Sequence, residues 1–249
     1  MSCKPIKKTD QGKWWARAQD RMPARRAEKE YILVASEDGK SSTYYFASLG
    51  KDPLGNPATF AVIPKGVGRN TQSLICHVKK NRVRWLKEVQ EEVDIEDFNQ
   101  VWVVFDLDGF PEHKFDNAIS SAESAKNGFR VAWSNECFEL WYLLHFKNQV
   151  TGIGREEIYR QLTDIWGLKK SYTEYKGDEG MSLHTSMATN PDMCKAYKRA
   201  KRLHAEMKAA RLTPHEANPC TLIYELIEVL YPHLKEMCKP KGVGCARKA

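Results

Sequence analysis

The chain has 249 residues, 42% of them hydrophobic, which is enough to bury a sizeable core and excludes a disordered polypeptide. No apolar run approaches the ~20 residues of a membrane span, and the amino terminus lacks the apolar core of a signal peptide, so we expect a cytoplasmic protein. The formal net charge is +7, and two segments carry most of the excess. Residues 1–30 and 192–211 each hold five more basic than acidic side chains, which favours a polyanionic partner such as nucleic acid, although basic helices are often simply solvated.

Seven cysteines are scattered along the chain without a Cys-x-x-Cys pair. This usage argues against a disulfide framework and a zinc ribbon, and it predicts free thiols. A zinc site formed by His233, Cys238 and Cys245 is the alternative, but their spacing matches no standard zinc pattern.

The amino-terminal half alternates short apolar runs with segments of helical periodicity. Ser41 or Ser42 is predicted to cap the first helix, and Ser134 with Asn135 to open the last one. Four such alternations predict an α/β fold, a mostly parallel sheet of about four strands flanked by helices. The predicted strands are 31–35, 59–63, 101–105 and 129–133, and the predicted helices are 41–49, 71–89, 115–126 and 134–146.

The strand signal fades after residue 150. Helices are predicted at 154–166, 192–211 and 220–231, with a polar loop at 167–190, so this half is interpreted as a carboxy-terminal helical extension packed on the sheet. The predicted organisation is a basic lead-in at 1–29, an α/β core at 30–150, the extension at 151–235 and a basic tail at 236–249.

The apolar run at 101–105 ends on Asp106 and Asp108. Side chains two apart on an extended strand point the same way, so both carboxylates can face one or two hard cations at the strand end. The alternative is a solvated turn, because Gly109 and Pro111 follow.

Other polar residues are expected at the same edge, since ligands bind outside the carboxyl ends of parallel strands. Glu37 follows the first strand, and Ser134 and Asn135 follow the fourth. Asn135 is predicted to share a helix face with Glu139, near a helix amino end that favours phosphate. Several acids at one edge repel each other unless a cation joins them, so a divalent ion is the simplest candidate.

These motifs resemble the RloB family, which carries a diverged Toprim domain of the kind found in topoisomerases, primases and some nucleases. The third of four blocks is the most specific, because its pattern SN-x-x-FE-x-W-x-L-x-H-F is long. The resembling blocks are ILVASEDGKSSTYYF at 32–46, VWVVFDLDGF with FDNAI at 101–122, VAWSNECFELWYLLHF at 131–146 and NPCTLIYELIEVL at 218–230.

The resemblance implies a Toprim-like site in which Glu37, Asp106 and Asp108 bind Mg²⁺ or Mn²⁺, with Glu37 as ligand or general acid/base. Whether one ion or two bind is left open, because Ser42 stands where the family usually has a second glutamate. Glu136 also replaces a usual proline.

Further residues are assigned to the pocket by the same resemblance. Glu139 and Asn135 are family additions to it, with Ser134 and Asn135 as substrate-binding residues. Lys176 matches a lysine that stabilises phosphate charge.

The implied activity is phosphodiester hydrolysis by a toxic effector of bacterial defence against phage. The resemblance favours RNA, in particular tRNA, over DNA nicking, and it suggests an ABC-type ATPase partner. The alternative from another class is a non-catalytic module that binds nucleic acid or docks on a partner. A homo-oligomer joined through WYLLHF at 141–146 and the carboxy-terminal helices is a further interpretation, against which stands a simple core role for these segments.

Overall fold

The computed structural model describes residues 29–51, 60–67, 71–124, 129–232 and 234–239 of the chain. Most of the predicted basic lead-in and tail lies outside these ranges, as do His233 and Cys245 of the alternative zinc site. Among the described residues, no helix has both the length and the apolar character needed to cross a membrane.

A five-stranded sheet forms the centre of the molecule, with the strand order β2-β1-β3-β4-β5. The first four strands are parallel and match the four predicted strands, which confirms the predicted α/β fold. The fifth strand is short and runs antiparallel to β4. The strands are β1 (Glu30–Ser36), β2 (Phe60–Gly66), β3 (Gln100–Asp106), β4 (Arg130–Asn135) and β5 (Cys220–Thr221).

Helices follow the strands and then dominate the second half of the chain. The helices α1, α2, α3 and α4 are Ser41–Leu49, Thr71–Gln90, Glu112–Glu123 and Glu139–Phe146. The second half contains α5 (Arg155–Trp166), α6 (Met181–Ala188), α7 (Met193–Ala210), α8 (Ile223–Leu230) and α9 (Leu234–Met237).

Three sequence predictions of helix position are wrong. The loop predicted at 167–190 contains α6, whose buried His184 and Met187 pack on the core below α1. The predicted helix at 220–231 begins only at Ile223, because Cys220 and Thr221 pair with β4 instead. The helix after β4 begins at Glu139 rather than at residue 134, because β4 continues through Asn135.

Alternating side chains of the strands divide the apolar core into two layers. Ile32 and Val34 of β1 face the layer covered by α1, α4 and the carboxy-terminal helices, whereas Leu33 and Ala35 face the layer covered by α2 and α3. Because both faces are covered, the strands are apolar along nearly their whole length. The carboxy-terminal helices therefore share one core with the amino-terminal half.

Helix α4 lies at the centre of the first layer. Its residues 140–145 are entirely buried, and the Trp141 indole N–H donates a hydrogen bond to the Tyr45 hydroxyl of α1 at 2.9 Å. The segment 141–146 is therefore largely core, and residues 141–145 offer no exposed surface for the homo-oligomer contact considered from the sequence.

The start of α1 differs from the predicted serine cap. Ser41 and Ser42 are buried in the first turn, and neither caps the helix. The Asp38 carboxylate instead accepts hydrogen bonds from the backbone N–H of Lys40 at 2.6 Å and of Ser42 at 3.4 Å. The Asp38 side chain thus accepts hydrogen bonds from backbone N–H groups at the start of α1, which have no partner within the helix.

A disulfide between Cys194 and Cys238 joins the first turn of α7 to the end of α9, so the prediction of free thiols is wrong for this pair. The sequence could not indicate the pairing, because the two cysteines are 44 residues apart and meet only through the packing of α7 and α9. Among the described residues, Cys76, Cys137 and Cys220 are free thiols.

We expect replacement of both Cys194 and Cys238 by serine to lower the free energy of unfolding by about 2–4 kcal/mol in the absence of reductant, because the bridge closes a long loop of the unfolded chain. Urea denaturation with and without reductant measures this, and the difference from the native chain is expected to vanish once the bridge is reduced. If alkylation of the denatured, unreduced protein labels both cysteines, the bridge does not form.

Candidate functional site

The carboxyl ends of β1, β3 and β4 bring acidic side chains to one edge of the sheet. Ser36 of β1 pairs with Val104 of β3, and Asp106 of β3 pairs with Ser134 of β4. The backbone N–H of Glu37 continues this pairing by donating to the Val104 carbonyl oxygen at 2.8 Å. The predicted convergence of the residues that follow these strands is therefore observed.

Four carboxylates form what we call the acid cluster: Glu37, Asp38, Asp106 and Glu139. Burial, followed by the charges of Glu139, Asp38 and Glu37, raises the pKa of Asp106 well above its ordinary value. Burial and then the charge of Glu139 also raise the pKa of Asp38. The neighbouring carboxylates thus make ionisation of Asp106 and Asp38 harder, as expected of acids that share one site.

Lys176 supplies the positive charge beside the cluster. Its ammonium lies 3.2 Å from Glu139 Oε1, donates to the Tyr159 hydroxyl at 2.7 Å, and sits over the Tyr159 ring. The Tyr172 hydroxyl donates to the same Glu139 oxygen at 3.1 Å. The 3₁₀ turn Tyr172–Tyr175 brings Lys176 back to the sheet edge, since the buried Tyr172 ring anchors that turn in the core.

This ion pair fixes the charge states of both partners. Burial by itself disfavours the Glu139 carboxylate, but the charge of Lys176 together with hydrogen bonds to the carboxylate outweighs it, so the pKa of Glu139 lies below its ordinary value. Burial also disfavours the ammonium of Lys176, yet Glu139 and the surrounding acids raise the pKa of Lys176. Both groups are charged at neutral pH, although the Glu139 side chain is only 1% exposed.

Asp108 is placed differently from the sequence prediction. The strand ends at Asp106, and Asp108 adopts a left-handed backbone conformation with φ of 36°, so the rule that places residues i and i+2 on one side of a strand does not apply. Its side chain is 38% exposed and forms an ion pair with Arg155 of α5. The chain therefore turns at Asp108 and Gly109, as the alternative interpretation of the sequence expected. A metal-binding role of Asp108 stays a prediction.

Ser134 and Asn135 are the last residues of β4 and are fully buried, so the predicted helix face shared by Asn135 and Glu139 is wrong. The Ser134 hydroxyl is 2.8 Å from that of Thr221, and the Asn135 amide donates to the carbonyl oxygens of Pro214 and His215. These contacts pair the Ser134 hydroxyl and the Asn135 amide N–H groups inside the protein, whereas Asn135 Oδ1 is buried without a hydrogen-bond partner among the described residues. Asn135 therefore holds the 211–217 loop against the sheet, and a substrate-binding role of Ser134 and Asn135 stays a prediction.

The donors of the acid cluster suit a hard divalent cation, because all are carboxylate oxygens and Asp106 is buried beside three other acids, which together raise its pKa. Glu37, Asp38 and Asp106 are the residues that fit this role, since Glu139 already has Lys176 as its cation. Within the described ranges, however, no three histidine, cysteine or acidic side chains are already spaced to hold a metal ion. A bound ion would require these carboxylates to move together.

Sequence reasoning missed Asp38 as a member of the site. Its available signal was an acidic residue just before the apolar periodicity of α1, a position typical of a helix start. Tyr159 and Tyr172 were also missed, because only the folded chain brings them to Glu139 and Lys176.

A family model described as RloB-like protein matches residues 32–230. The chain belongs to the RloB-like family. The match contains the whole acid cluster and Lys176, so the resemblance found in the sequence is confirmed at the level of the family. The sheet of this RloB-like chain is consistent with a Toprim-like fold. No curated protein and no solved structure matches the chain significantly.

Proposed function

We propose that this RloB-like chain is a metal-dependent nuclease that hydrolyses phosphodiester bonds with Mg²⁺ or Mn²⁺. The observation that carries the proposal is the acid cluster at the carboxyl edge of a parallel sheet, where the pKa of Asp106 is raised by burial and by three neighbouring acids. Acids crowded in this way repel each other unless a cation joins them, so their convergence favours ion binding over a purely structural role.

Glu37, Asp38 and Asp106 would hold the ion, which when bound polarises the phosphate and lowers the pKa of a coordinated water. Lys176 remains protonated beside Glu139 and supplies a fixed positive charge next to the phosphate oxygens. The Tyr159 and Tyr172 hydroxyls hold this ion pair in one geometry, so little reorganisation is needed when charge develops on the substrate.

The surface charge supports a nucleic-acid substrate. Helix α7 presents several exposed basic side chains that can contact phosphates without reading base sequence. They are Lys195, Lys198, Lys201, Arg202 and Lys208, followed by Arg211 after the helix.

The family resemblance extends the proposal to biological context. We infer a toxic effector of bacterial defence against phage that cuts RNA, in particular tRNA, and that works with an ABC-type ATPase. This extension rests on fold-level analogy alone, and DNA nicking by the same site is the neighbouring alternative.

Sequencing of RNA and DNA ends from cells that express the chain tests the proposal, with and without a candidate ATPase. We expect discrete new ends, in tRNA if the inference on substrate is right, that disappear with Glu37→Ala and with Asp106→Ala combined with Asp108→Ala. Toxicity that persists in these variants while nucleic acids remain intact would exclude a nuclease.

A non-catalytic binding module is the second candidate. Two observations favour it: the acids of the described residues are not preformed into a metal-ligand set, and Lys176 already neutralises one of them. Such a module would keep its partner and its cellular effect in the double aspartate variant, whereas a nuclease would keep only the partner.

A further inference from the structure

A second cation, Arg155, lies at the edge of the acid cluster as the first residue of α5. Its guanidinium forms an ion pair with Asp108, which follows Asp106 by two residues in the turn after β3. A longer contact of 3.9 Å joins Arg155 Nε to Glu156 Oε1 at the helix surface. Arg155 therefore lies beside the turn by which the chain leaves the acidic end of β3.

One face of α5 connects Arg155 with the ion pair of Glu139 and Lys176. Tyr159 follows Arg155 by four residues, so their Cβ atoms are neighbours on the helix surface, about 5–6 Å apart. The Tyr159 hydroxyl accepts a hydrogen bond from Lys176 at 2.7 Å, and the same ammonium lies 3.2 Å from Glu139 Oε1. Tyr159 also packs in the core layer that contains α4, the helix that begins with Glu139.

The acid cluster and Arg155 act on the same tyrosine hydroxyl. Burial and then nearby anionic groups, Glu139 and Asp106 among them, raise the pKa of Tyr159. The charge of Arg155 lowers it. Asp106 belongs to the same side of the sheet, because it follows Val104, which faces this core layer, by two residues on β3. Arg155 and the acids therefore border one region at the sheet edge.

The ion pair of Arg155 and Asp108 is open to solvent. The two side chains are 37% and 38% exposed, and an ion pair so exposed contributes little to stability because water and salt screen it. A guanidinium binds a phosphate through two parallel N–H···O bonds, the geometry that it also uses for a carboxylate. A phosphate that reaches this turn can therefore replace Asp108 as the partner of Arg155.

We propose that Arg155 binds a phosphate of the nucleic-acid strand beside the acid cluster, and that its ion pair with Asp108 holds the guanidinium there until the strand binds. This inference rests on the proposed nuclease function and adds a residue that neither the motifs nor the family description assigns. Lys176 is held by the buried Glu139, whereas Arg155 has an exposed partner that it can exchange. Asp108 loses this cation in the exchange, so its carboxylate becomes available to the divalent ion.

The test measures binding of a fluorescein-labelled single-stranded RNA of mixed sequence to the full-length chain. Fluorescence anisotropy is recorded in EDTA, so that metal-dependent cleavage does not occur. We expect Arg155→Gln to weaken binding by about 10-fold, because a charge-assisted contact with phosphate is lost. The slope of log affinity against log salt concentration should become shallower by about 0.7, the value for one phosphate contact on a single strand. Arg155→Lys should keep the native slope, because the charge remains.

Asp108→Asn supplies a readout that a purely structural role would not produce. Removal of the competing carboxylate should tighten RNA binding by about 2- to 5-fold, the range expected for loss of an exposed ion pair. This gain should be absent when Asp108→Asn is combined with Arg155→Gln. If the pair only attaches α5 to the turn, both single variants would lower the melting temperature and neither would tighten RNA binding, which would overturn the proposal.

Arg160 and Asp164 are the matched control, because they form an exposed ion pair on the same helix. Arg160→Gln and Asp164→Asn remove the same charges as the test variants, and they should leave the RNA affinity and its salt slope nearly unchanged. If Arg160→Gln weakens binding as much as Arg155→Gln does, or if folded Arg155→Gln binds RNA with native affinity, Arg155 does not bind a phosphate at this site.

Failure of the nuclease proposal is distinguishable. A native chain that binds RNA through Arg155 but does not cut it with Mg²⁺ contradicts the proposed ribonuclease and supports the phosphate contact. A native chain that cuts RNA, with Arg155→Gln binding as tightly as the native chain, overturns this inference alone. A chain that neither binds nor cuts RNA overturns both.

Discussion

Asp106→Asn is expected to reduce metal-dependent cleavage of nucleic acid by at least about 1,000-fold while raising the thermal stability of the metal-free protein. The carboxylate is buried among Glu37, Asp38 and Glu139, and its raised pKa shows that ionisation is unfavourable in the fold. Because the folded pKa lies above the unfolded one, the native protein loses stability as pH rises from about 4 through the raised pKa. The neutral amide avoids this loss, so we expect an increase in melting temperature at pH 7 of a few °C, where ~1 kcal/mol corresponds to about 2–4 °C.

Differential scanning calorimetry measures the melting temperatures of the native protein and of Asp106→Asn at pH 7 and pH 4. Each is measured without Mg²⁺ and with Mg²⁺ at about 10 times its half-saturating concentration. The excess stability of the asparagine variant should shrink at pH 4, and Mg²⁺ should stabilise the native protein but not the variant. Asp164→Asn is the matched control, because Asp164 is an exposed partner of Arg160 on α5. If Asp106→Asn retains cleavage, or if Mg²⁺ stabilises both proteins equally, Asp106 is not a metal ligand.

Lys176→Met is expected to lower the free energy of unfolding by about 3–5 kcal/mol at pH 7, because it leaves the Glu139 carboxylate buried without its cation. The lowered pKa of Glu139 means that the pair contributes stability above about pH 4.5 and loses it as pH falls through the lowered value. The raised pKa of Lys176 keeps the pair intact below pH 10.5, so neutral pH lies inside the window.

Urea denaturation of Lys176→Met, Glu139→Gln and the double variant measures the coupling between the two side chains. The double variant should be more stable than Lys176→Met alone, since no buried charge remains. Lys170→Met is the control, because the Lys170–Glu174 pair is exposed and should contribute less than about 1 kcal/mol. If Lys176→Met and Lys170→Met lower the free energy of unfolding equally, Lys176 does not stabilise the buried carboxylate of Glu139.

The parallel sheet and its acidic edge could be predicted because they depend on short-range patterns. Apolar runs of five residues specified β1 and β3, and the topology of parallel strands then required Glu37 and Asp106 to meet. The family resemblance added Glu139 and Lys176, which the fold brings within 3.2 Å of each other. The pairing itself was not predicted.

The errors arose where distant residues decide a local structure. Ser134 and Asn135 have the chemistry of a helix cap, but Thr221 and the carbonyl oxygens of Pro214 and His215 occupy their side chains and keep them in β4. Asp108 was assigned the strand geometry of Asp106, yet the chain turns between them.

The distribution of site residues along the chain has a consequence for synthesis. Most residues of the apolar core layer beneath α2 and α3 precede residue 134, so much of this layer can fold during translation. The acid cluster also lies early, but Lys176 follows Asp106 by 70 residues and comes after α5 in the chain. A nascent chain therefore carries the acids before it carries the charge that sets their ionisation. Such an order delays completion of the site until translation of the chain is well advanced.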